Sequence, residues 1–480
     1  MKPIKALAIA LATLISFTGC APTGTKVVSA NAVGVQMFMW NWNSIAAECT
    51  DFLGPAGYDW VLVSPPEEHI QGDQWWTHYQ PTNYKVESNL GTRDEFAKMV
   101  ASCNKAGVAI IADAVINHMA ASDVNGWAGT EHTKYDYPGL YGESDFHHCD
   151  STSGGIEDWN NVDQVQQCEL LGLSDLDTSK QSVRDKIIGY LKDLRSLGVA
   201  GFRVDAAKHI AASELKQIVD ALPQDTSWIF EVIGTTPDPA DYKAMGNTFS
   251  FNWVSQSMQM FNTFGSLDGA ADPVALSLFE DSANLVTMVS NHDTERNGEA
   301  LNYRNPRAFA LANAFMLAVP FGLPMVYSGY AFSDNDASPN LGPDAKILAA
   351  KCSNFASTQD SFADGSFVCQ HRWSEIAGMV VWHHAVGDTA VKAQFAQGNV
   401  YAFSRGELGF VAFNNGQQKF AGAVKTTLKP GVYCNLIGGG LDAAATKCKG
   451  DAITVNANQD VEISVASQSV VAITSAAKLR

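Results

Sequence analysis

Four short segments combine carboxylates, histidines and an arginine with apolar neighbours. They are Asp113-Ala-Val-Ile-Asn-His118, Gly201-Phe-Arg-Val-Asp-Ala-Ala-Lys-His209, Phe230-Glu-Val-Ile233 and Ser290-Asn-His-Asp293. Ionised groups inside such apolar runs must be paired or functional, because an isolated buried charge is too costly. Carboxylates gathered together can divide nucleophilic and acid/base work between them. Arg203 and Asp205 stand two apart, so on a strand both point the same way. A fifth segment, Trp75-Trp76-Thr-His-Tyr79-Gln80, places paired tryptophans in a loop. They are expected to be exposed there, where aromatic faces suit stacking on the apolar faces of sugar rings.

Chemistry of this kind needs a frame that brings distant segments to one place. From Val33 to about Pro324, short apolar runs alternate with helical patterns. The runs begin at Val33, Tyr58, Val108, Val199, Trp228, Thr248, Leu285 and Leu323, which makes eight strand candidates. Thr92-Arg93-Asp94-Glu95 has the form of a capping box. Phe96, Met99, Val100 and Cys103 then recur at helical spacing, and Gly107 stops the helix before the next strand. Thr178 or Ser179 is expected to cap a second helix carrying Val183, Ile187, Leu191 and Leu194.

Eight such units point to a TIM (β/α)8 barrel, in which the C-terminal rim would hold the charged segments. An open doubly wound sheet would alternate in the same way, so periodicity alone does not choose between them. About 60 residues rich in Gly, Asp, Asn and His interrupt the alternation between Asn117 and Lys180, and long insertions are usually functional. After about Ser374 no helical pattern is expected, and β-rich runs at Val400–Ser404, Phe410–Phe413, Ile453–Val455 and Val461–Val465 predict an all-β sandwich. The expected division is a signal and tether over 1–32, a barrel over 33–118 and 177–373, an insertion domain over 119–176, and a C-terminal β domain over 374–480.

The chain has 480 residues, 46% of them hydrophobic, enough for two or three cores. Its formal net charge of −18, with no Lys/Arg-rich run, argues against nucleic acid and leaves a neutral polymer open. Lys2 and Lys5 precede an apolar stretch from Ala6 to Phe17, too short to span a bilayer and suited to a secretory signal. Phe17-Thr18-Gly19-Cys20 resembles a lipoprotein cleavage box, which would lipidate Cys20 and tether the chain to a membrane. Cleavage after Ala30-Asn31-Ala32 is the alternative. Nine cysteines less Cys20 leave eight, enough for four disulfides in an exported chain, with 105 connectivities open.

The four charged segments, in this order, resemble the signature regions of the α-amylase family, glycoside hydrolase family 13. The resemblance extends over nearly the whole chain after the signal segment and implies a barrel, an inserted domain and a C-terminal β domain. It implies retaining, endo-acting hydrolysis of α-1,4 bonds in starch-like glucans, by a monomer secreted or anchored at the cell envelope. Asp205 would be the nucleophile, Glu231 the general acid/base and Asp293 the third carboxylate. Such chemistry requires Asp205 to be ionised, and Arg203 beside it is expected to lower its pKa. Glu231, between Phe230 and Val232, must be held protonated. His118 and His292 resemble residues that bind sugar hydroxyls at the cleaved bond, and Tyr79 resembles the tyrosine that stacks there. Lys208 and His209 resemble contacts beyond it, and Trp75, Trp76, Gln80 and Arg203 complete the expected substrate set.

Asn117, Asp175 and His209 resemble calcium ligands, with a backbone carbonyl near Gln166 joining them and His209 contributing its carbonyl. The animal and actinomycete branch is the nearest match, through Leu171-Gly-Leu-Ser-Asp-Leu-Asp177 and the cysteine positions. By that analogy the disulfides would be Cys49–Cys103, Cys149–Cys168, Cys352–Cys369 and Cys434–Cys448. The chain departs from the branch in two places. The glycine-rich loop that animal members carry is absent after Asp293. A chloride site would use Arg203 and Asn291, but Met325 stands where the second basic residue belongs. A transglycosylase or exo-acting enzyme on the same scaffold is the first rival reading. A glucan-binding protein without turnover is the second, and it would require a broken carboxylate set.

Overall fold

The computed structural model describes residues 31–262, 264–271, 282–352 and 361–479. The signal segment and Cys20 lie outside the described residues. Eight parallel strands close into a barrel. They are β1 (Gly34–Met37), β2 (Trp60–Val63), β3 (Ala109–Ala114), β4 (Gly201–Val204), β5 (Ser227–Phe230), β6 (Asn247–Ser250), β7 (Leu285–Met288) and β8 (Leu323–Ser328), and β1 pairs with both β2 and β8. Each begins within about two residues of its expected start. Closure settles the alternative that periodicity left open, since an open sheet would leave β1 or β8 unpaired.

The period-two rule sorts the strand residues into two layers. Trp60, Leu62, Ala109, Ile111, Ile229, Leu323 and Met325 belong to one buried cluster that fills the barrel. Val61, Val63, Ile110, Ala112, Phe202, Val204 and Val326 belong to the cluster packed under the helices. Gly34 must lack a side chain, because a Cβ there would lie 2.1 Å from the Trp60 ring that occupies the barrel's interior.

The helix Arg93–Lys105 carries its capping box in full: Thr92 accepts from the Glu95 amide, and Glu95 accepts from the Thr92 amide. Gly107 follows it with φ of +81°, a conformation that favours glycine. The helix Gln181–Ser196 departs from expectation. Lys180 is its N-cap and supplies no side-chain cap. Thr178 instead donates to Glu214 at 2.6 Å, and Ser179 bonds Asp177.

The insertion leaves and re-enters through a two-stranded ribbon, His118–Met119 against Ser174–Asp175. Buried Glu68 pins its first loop by accepting from the amides of Ala128 and Thr130 and from the Thr130 hydroxyl. Among the described residues there are four disulfides, 49–103, 149–168, 352–369 and 434–448, the same pairs that the resemblance implies.

Past Ser374 the structure corrects the expectation of β structure alone: Ser374–Val386 is a helix. It carries apolar residues around most of its circumference, with Ile376, Met379, Val380, Trp382 and Val386 buried, so no amphipathic stripe announces it. Two four-stranded antiparallel sheets follow. One contains β9 (Val391–Gln397), β10 (Val400–Arg405), β11 (Gly409–Asn414) and β16 (Ser469–Thr474). The other contains β12 (Phe420–Lys425), β13 (Gly431–Cys434), β14 (Ala452–Val455) and β15 (Asp460–Val465). Among the described residues no helix is long and apolar enough to cross a membrane.

A buried polar clamp joins the turn just before the helix Ser374–Val386 to the barrel. Glu48 accepts from Arg372 at 2.5 and 2.6 Å and pairs with His371 at 2.8 Å, while the other His371 nitrogen meets the Ser328 hydroxyl at 2.8 Å. Burial alone would raise the Glu48 pKa, but His371 and Arg372 outweigh it and lower it to about 2. The unfolded chain therefore binds this proton more readily than the folded one. The stability this contributes, about 3 kcal/mol, is present above pH 4.5 and lost as pH falls towards 2. Urea unfolding of Glu48→Gln should show a loss of that order at pH 7 and a shallower decline between pH 5 and 3 than the parent. Identical pH dependence in the two proteins would contradict the assignment.

Candidate active site

The inward-facing positions continue past the strand ends and build the site. On β3 the series Ala109, Ile111 leads to Asp113; on β4 Gly201, Arg203 leads to Asp205; on β5 Ser227, Ile229 leads to Glu231. Sheet register sets Asp113 beside Arg203 and Arg203 beside Ile229. Parallel strands thus carry the charged residues to the C-terminal mouth of the barrel, while the apolar members of each series fill the layer below.

Arg203 is the centre of the cluster, with a side chain only 2% exposed. Its Nη1 donates to Asp113 Oδ1 and Asp205 Oδ1, each at 2.7 Å, and its Nη2 meets Glu231 Oε2 at 2.8 Å. The chain turns sharply after Asp205. Ala206 adopts φ of +48°, an unfavourable conformation for a residue with a Cβ, and its amide donates to Glu231 Oε2 at 2.9 Å. Asp293 stands at the open side, with 42% of its side chain exposed.

One guanidinium faces three bonded carboxylates, with Asp293 a fourth nearby, so the cluster cannot hold all its negative charges and must retain protons. Asp205 shows this. Burial raises its pKa well above the usual carboxylate range; Arg203 opposes that, and Glu231, Asp113 and Asp293 push it further up. Arg203 does lower the Asp205 pKa as expected, but burial first, and then the neighbouring carboxylates, outweigh it. Asp113 is likewise raised by burial, against the pull of Arg203 and a hydrogen bond from Tyr79.

A cleft of about 500 Å³ lies over the cluster. Its lining includes Trp75, Trp76, Tyr79, Gln80, His118, Asp205, Lys208, His209, Glu231, His292 and Asp293. Of the expected substrate and catalytic residues only Arg203 is missing from the wall, because it forms the floor beneath. Trp75 and Trp76 are half-buried, not exposed as expected. Trp75 packs edge-on against Tyr79 and His292, and its indole donates to Asn335 O at 2.8 Å. Gln80 fastens the insertion by accepting from the Ala121 amide.

Both His118 nitrogens already face protein groups, Tyr79 O at 3.0 Å and Asn117 Nδ2 at 3.3 Å. A sugar hydroxyl reaching His118 has to share one of them. Burial lowers its pKa to about 4, so the ring is neutral at pH 7. His292 stacks on Tyr79, with centroids 5.1 Å apart and planes 8° apart, and its Nδ1 meets Gln36 Nε2 at 3.1 Å.

Sequence reasoning missed Trp159, Leu171 and Ile233. All three line the cleft and are exposed at 48%, 89% and 43%, and Lys208 Nζ lies 5.0 Å from the Trp159 ring centroid. Their signal is large apolar side chains inside a polar insertion or just past a strand end, which only exposure distinguishes from core. Asp113 has no role in the sequence expectation, although its inward position two residues after Ile111 marks it.

The calcium residues cluster at the insertion's base. Asn117 Nδ2 lies 3.2 Å from Asp175 Oδ1, and Asp175 Oδ2 meets His147 Nδ1 at 2.7 Å. The His209 ring bonds Val165 O at 2.7 Å, which brings its segment against the helix containing Gln166. Burial pushes the Asp175 carboxyl up to about 7. A buried carboxylate beside an Asn side chain, whose amide can present either its oxygen or its nitrogen, fits a hard cation such as calcium. Among the described residues no three His, Cys, Asp or Glu side chains form a metal cluster, so amide and carbonyl oxygens would have to complete the shell. The chloride residues do not fit an anion. Met325 is wholly buried in the barrel's apolar interior, Asn291 Oδ1 accepts from Thr294 and Asp293, and Arg203 is committed to carboxylates.

Carboxylates gathered on one arginine at the mouth of a closed parallel barrel, walled by aromatic rings, define a class: the barrel hydrolases that cleave sugar polymers. Known proteins narrow the class. The model of the α-amylase catalytic domain matches residues 47–272, and that of the α-amylase C-terminal all-β domain matches 391–476. An α-amylase of Streptomyces violaceus is 40% identical over 444 residues, which is 90% of this chain and 74% of that protein. An α-amylase-related protein of Drosophila melanogaster is 38% identical over 448 residues, 88% of this chain and 89% of that protein. The solved structure of a variant of Eisenia fetida α-amylase I in complex with maltohexaose matches with a TM-score of 0.83 at 27% identity, covering 94% of this chain and 99% of that one. The chain belongs to the α-amylase family, and its activity is the hydrolysis of internal α-1,4-glucosidic bonds.

Proposed function

We propose that Asp205 attacks the anomeric carbon, Glu231 donates and then recovers the proton, and Asp293 stabilises the charge that develops on the sugar. The observation that carries this reading is the hydrogen-bonded set Asp113–Arg203–Asp205–Glu231 at the floor of the cleft. Arg203 fixes the positions of both working carboxylates, and the cluster's surplus of acids keeps a proton available for the leaving oxygen. When glycosyl transfer to Asp205 consumes one negative charge, the remaining carboxylate can act as base on water. Substituting each carboxylate in turn, with kcat as the readout, tests the assignment.

Tyr79, Trp75, Trp76 and His292 are proposed to bind the sugars on one side of the cleaved bond, and Lys208 and His209 those beyond it. Trp159, Leu171 and Ile233 would extend that second wall. The substrates are proposed to be starch, glycogen and maltodextrins, in keeping with the maltohexaose bound by the earthworm enzyme. Export is proposed from the four disulfides and the apolar N-terminal stretch. Lipid attachment at Cys20 remains a separate proposal, for which no comparison offers support.

Calcium is proposed to bind Asn117, Asp175 and the carbonyls of Gln166 and His209, where it would supply positive charge to Asp175 and tie the insertion to the barrel. A ligand that binds only the native state stabilises it. Chelation should lower the melting temperature by several degrees and readdition of calcium should restore it. An unchanged melting temperature after exhaustive chelation, with no calcium found by elemental analysis, would remove the site.

A further inference from the structure

Just past Asp293, the Arg296 side chain is only 5% exposed and sits behind the cleft wall. Its guanidinium carbon lies 4.4 Å from the ring centroid of Phe332, 5.0 Å from Trp75, 5.2 Å from Phe38 and 5.3 Å from Tyr330. Nη1 donates to the His292 carbonyl at 2.6 Å and Nη2 to the Tyr330 hydroxyl at 2.9 Å. The Arg296 carbonyl accepts from Asn335, whose own carbonyl receives the Trp75 indole. Phe38, against one face of this cation, also stacks on His292 with centroids 4.7 Å apart.

The cation thus touches four pieces of chain that are distant in sequence: the residue after β1, the Trp75 turn, the His292 segment and the loop after β8. A planar guanidinium can stack on rings with its faces while its edge donates, which an ammonium group cannot do. Phe38 and Tyr330 lie 11° from parallel, with Trp75 at 68° to Phe38 and Phe332 at 68° to Tyr330, so the rings close on the cation from several directions and hold their relative positions. Glu295, 1% exposed, accepts from Arg296 at 2.9 Å and from Tyr327 at 2.6 Å, so the charge is paired inside the cage.

We propose that Arg296 is a positioning residue for substrate binding: its caged guanidinium sets the places of His292 and Trp75 on the cleft wall. The proposal rests on the reading of His292 as a sugar-binding residue. Arg296 itself does not line the cleft, so it acts through these neighbours.

The test compares kcat and KM on maltodextrins for the parent, Arg296→Met, the double variant Glu295→Gln/Arg296→Met, and His292→Ala. The single variant leaves a buried carboxylate without its cation and is exposed to misfolding. The double variant removes both charges, while Gln still accepts from Tyr327. It should melt near the parent temperature yet lose on the order of 10- to 100-fold in kcat/KM, with KM carrying most of the loss. A merely structural role would lower the amount of active protein, and with it the apparent kcat, at a parental KM. A parental KM in the double variant therefore overturns the proposal, whatever its amplitude. If His292→Ala raises KM while the double variant does not, the proposal alone falls. If neither raises KM, the assignment of His292 falls with it.

Discussion

Asp205→Asn should abolish maltodextrin hydrolysis while the chain keeps its fold. The amide oxygen of Asn can still accept from Arg203 Nη1, which now bonds Asp205 at 2.7 Å. The group no longer carries the charge needed to form a bond to the anomeric carbon. Loss of a covalent nucleophile in a working constellation costs on the order of 10⁵-fold in kcat. The variant also removes one acid from a crowd of buried carboxylates, so its melting temperature should match or exceed the parent's. Near-parental turnover by purified Asp205→Asn would overturn the assignment of the nucleophile.

Glu231→Gln should cost about 10³- to 10⁴-fold on maltodextrins, the range for loss of a general acid/base. Here the fold is again protected, because the Gln carbonyl can still accept from the Ala206 amide that now holds Glu231 at 2.9 Å. The deficit should depend on the leaving group. An α-maltotriosyl fluoride departs without needing a proton, so its first step should lose at least tenfold less than that of a natural glucan. Equal losses on both substrates would show that Glu231 serves some purpose other than proton transfer.

The two substitutions probe groups that were legible in the sequence for a physical reason. Asp205 and Glu231 sit where period-two apolar runs end, and only a functional or paired acid is tolerated there. The same runs located all eight barrel strands, because burial on both faces leaves most of their positions apolar. Closure of the sheet was not legible, since pairing of β1 with β8 spans nearly 300 residues and leaves no local trace. The helix Ser374–Val386 was missed for a related reason: buried on most sides, it lacks the stripe that marks a surface helix.

Electrostatics were the least legible part. Arg203 two residues before Asp205 suggests a simple ion pair, yet burial, with Asp113 and Glu231 brought to the same guanidinium, outweighs the lowering by Arg203, and the net shift of Asp205 is upward. Nothing in the local pattern around Trp159, Leu171 and Ile233 separates them from core, although Leu171 and Ile233 belong to segments that carry the family resemblance. Trp159 and Leu171 lie on the insertion and Ile233 just past β5, and their exposure depends on tertiary packing that no local pattern encodes.

The central claim is retaining hydrolysis by Asp205 and Glu231, and the anomeric configuration of the first products tests it most directly. An NMR time course of maltodextrin cleavage by the purified chain should show the α-anomer appearing first and the β-anomer growing only at the rate of mutarotation. The β-anomer appearing first would mean direct attack by water and would contradict a glycosyl intermediate on Asp205.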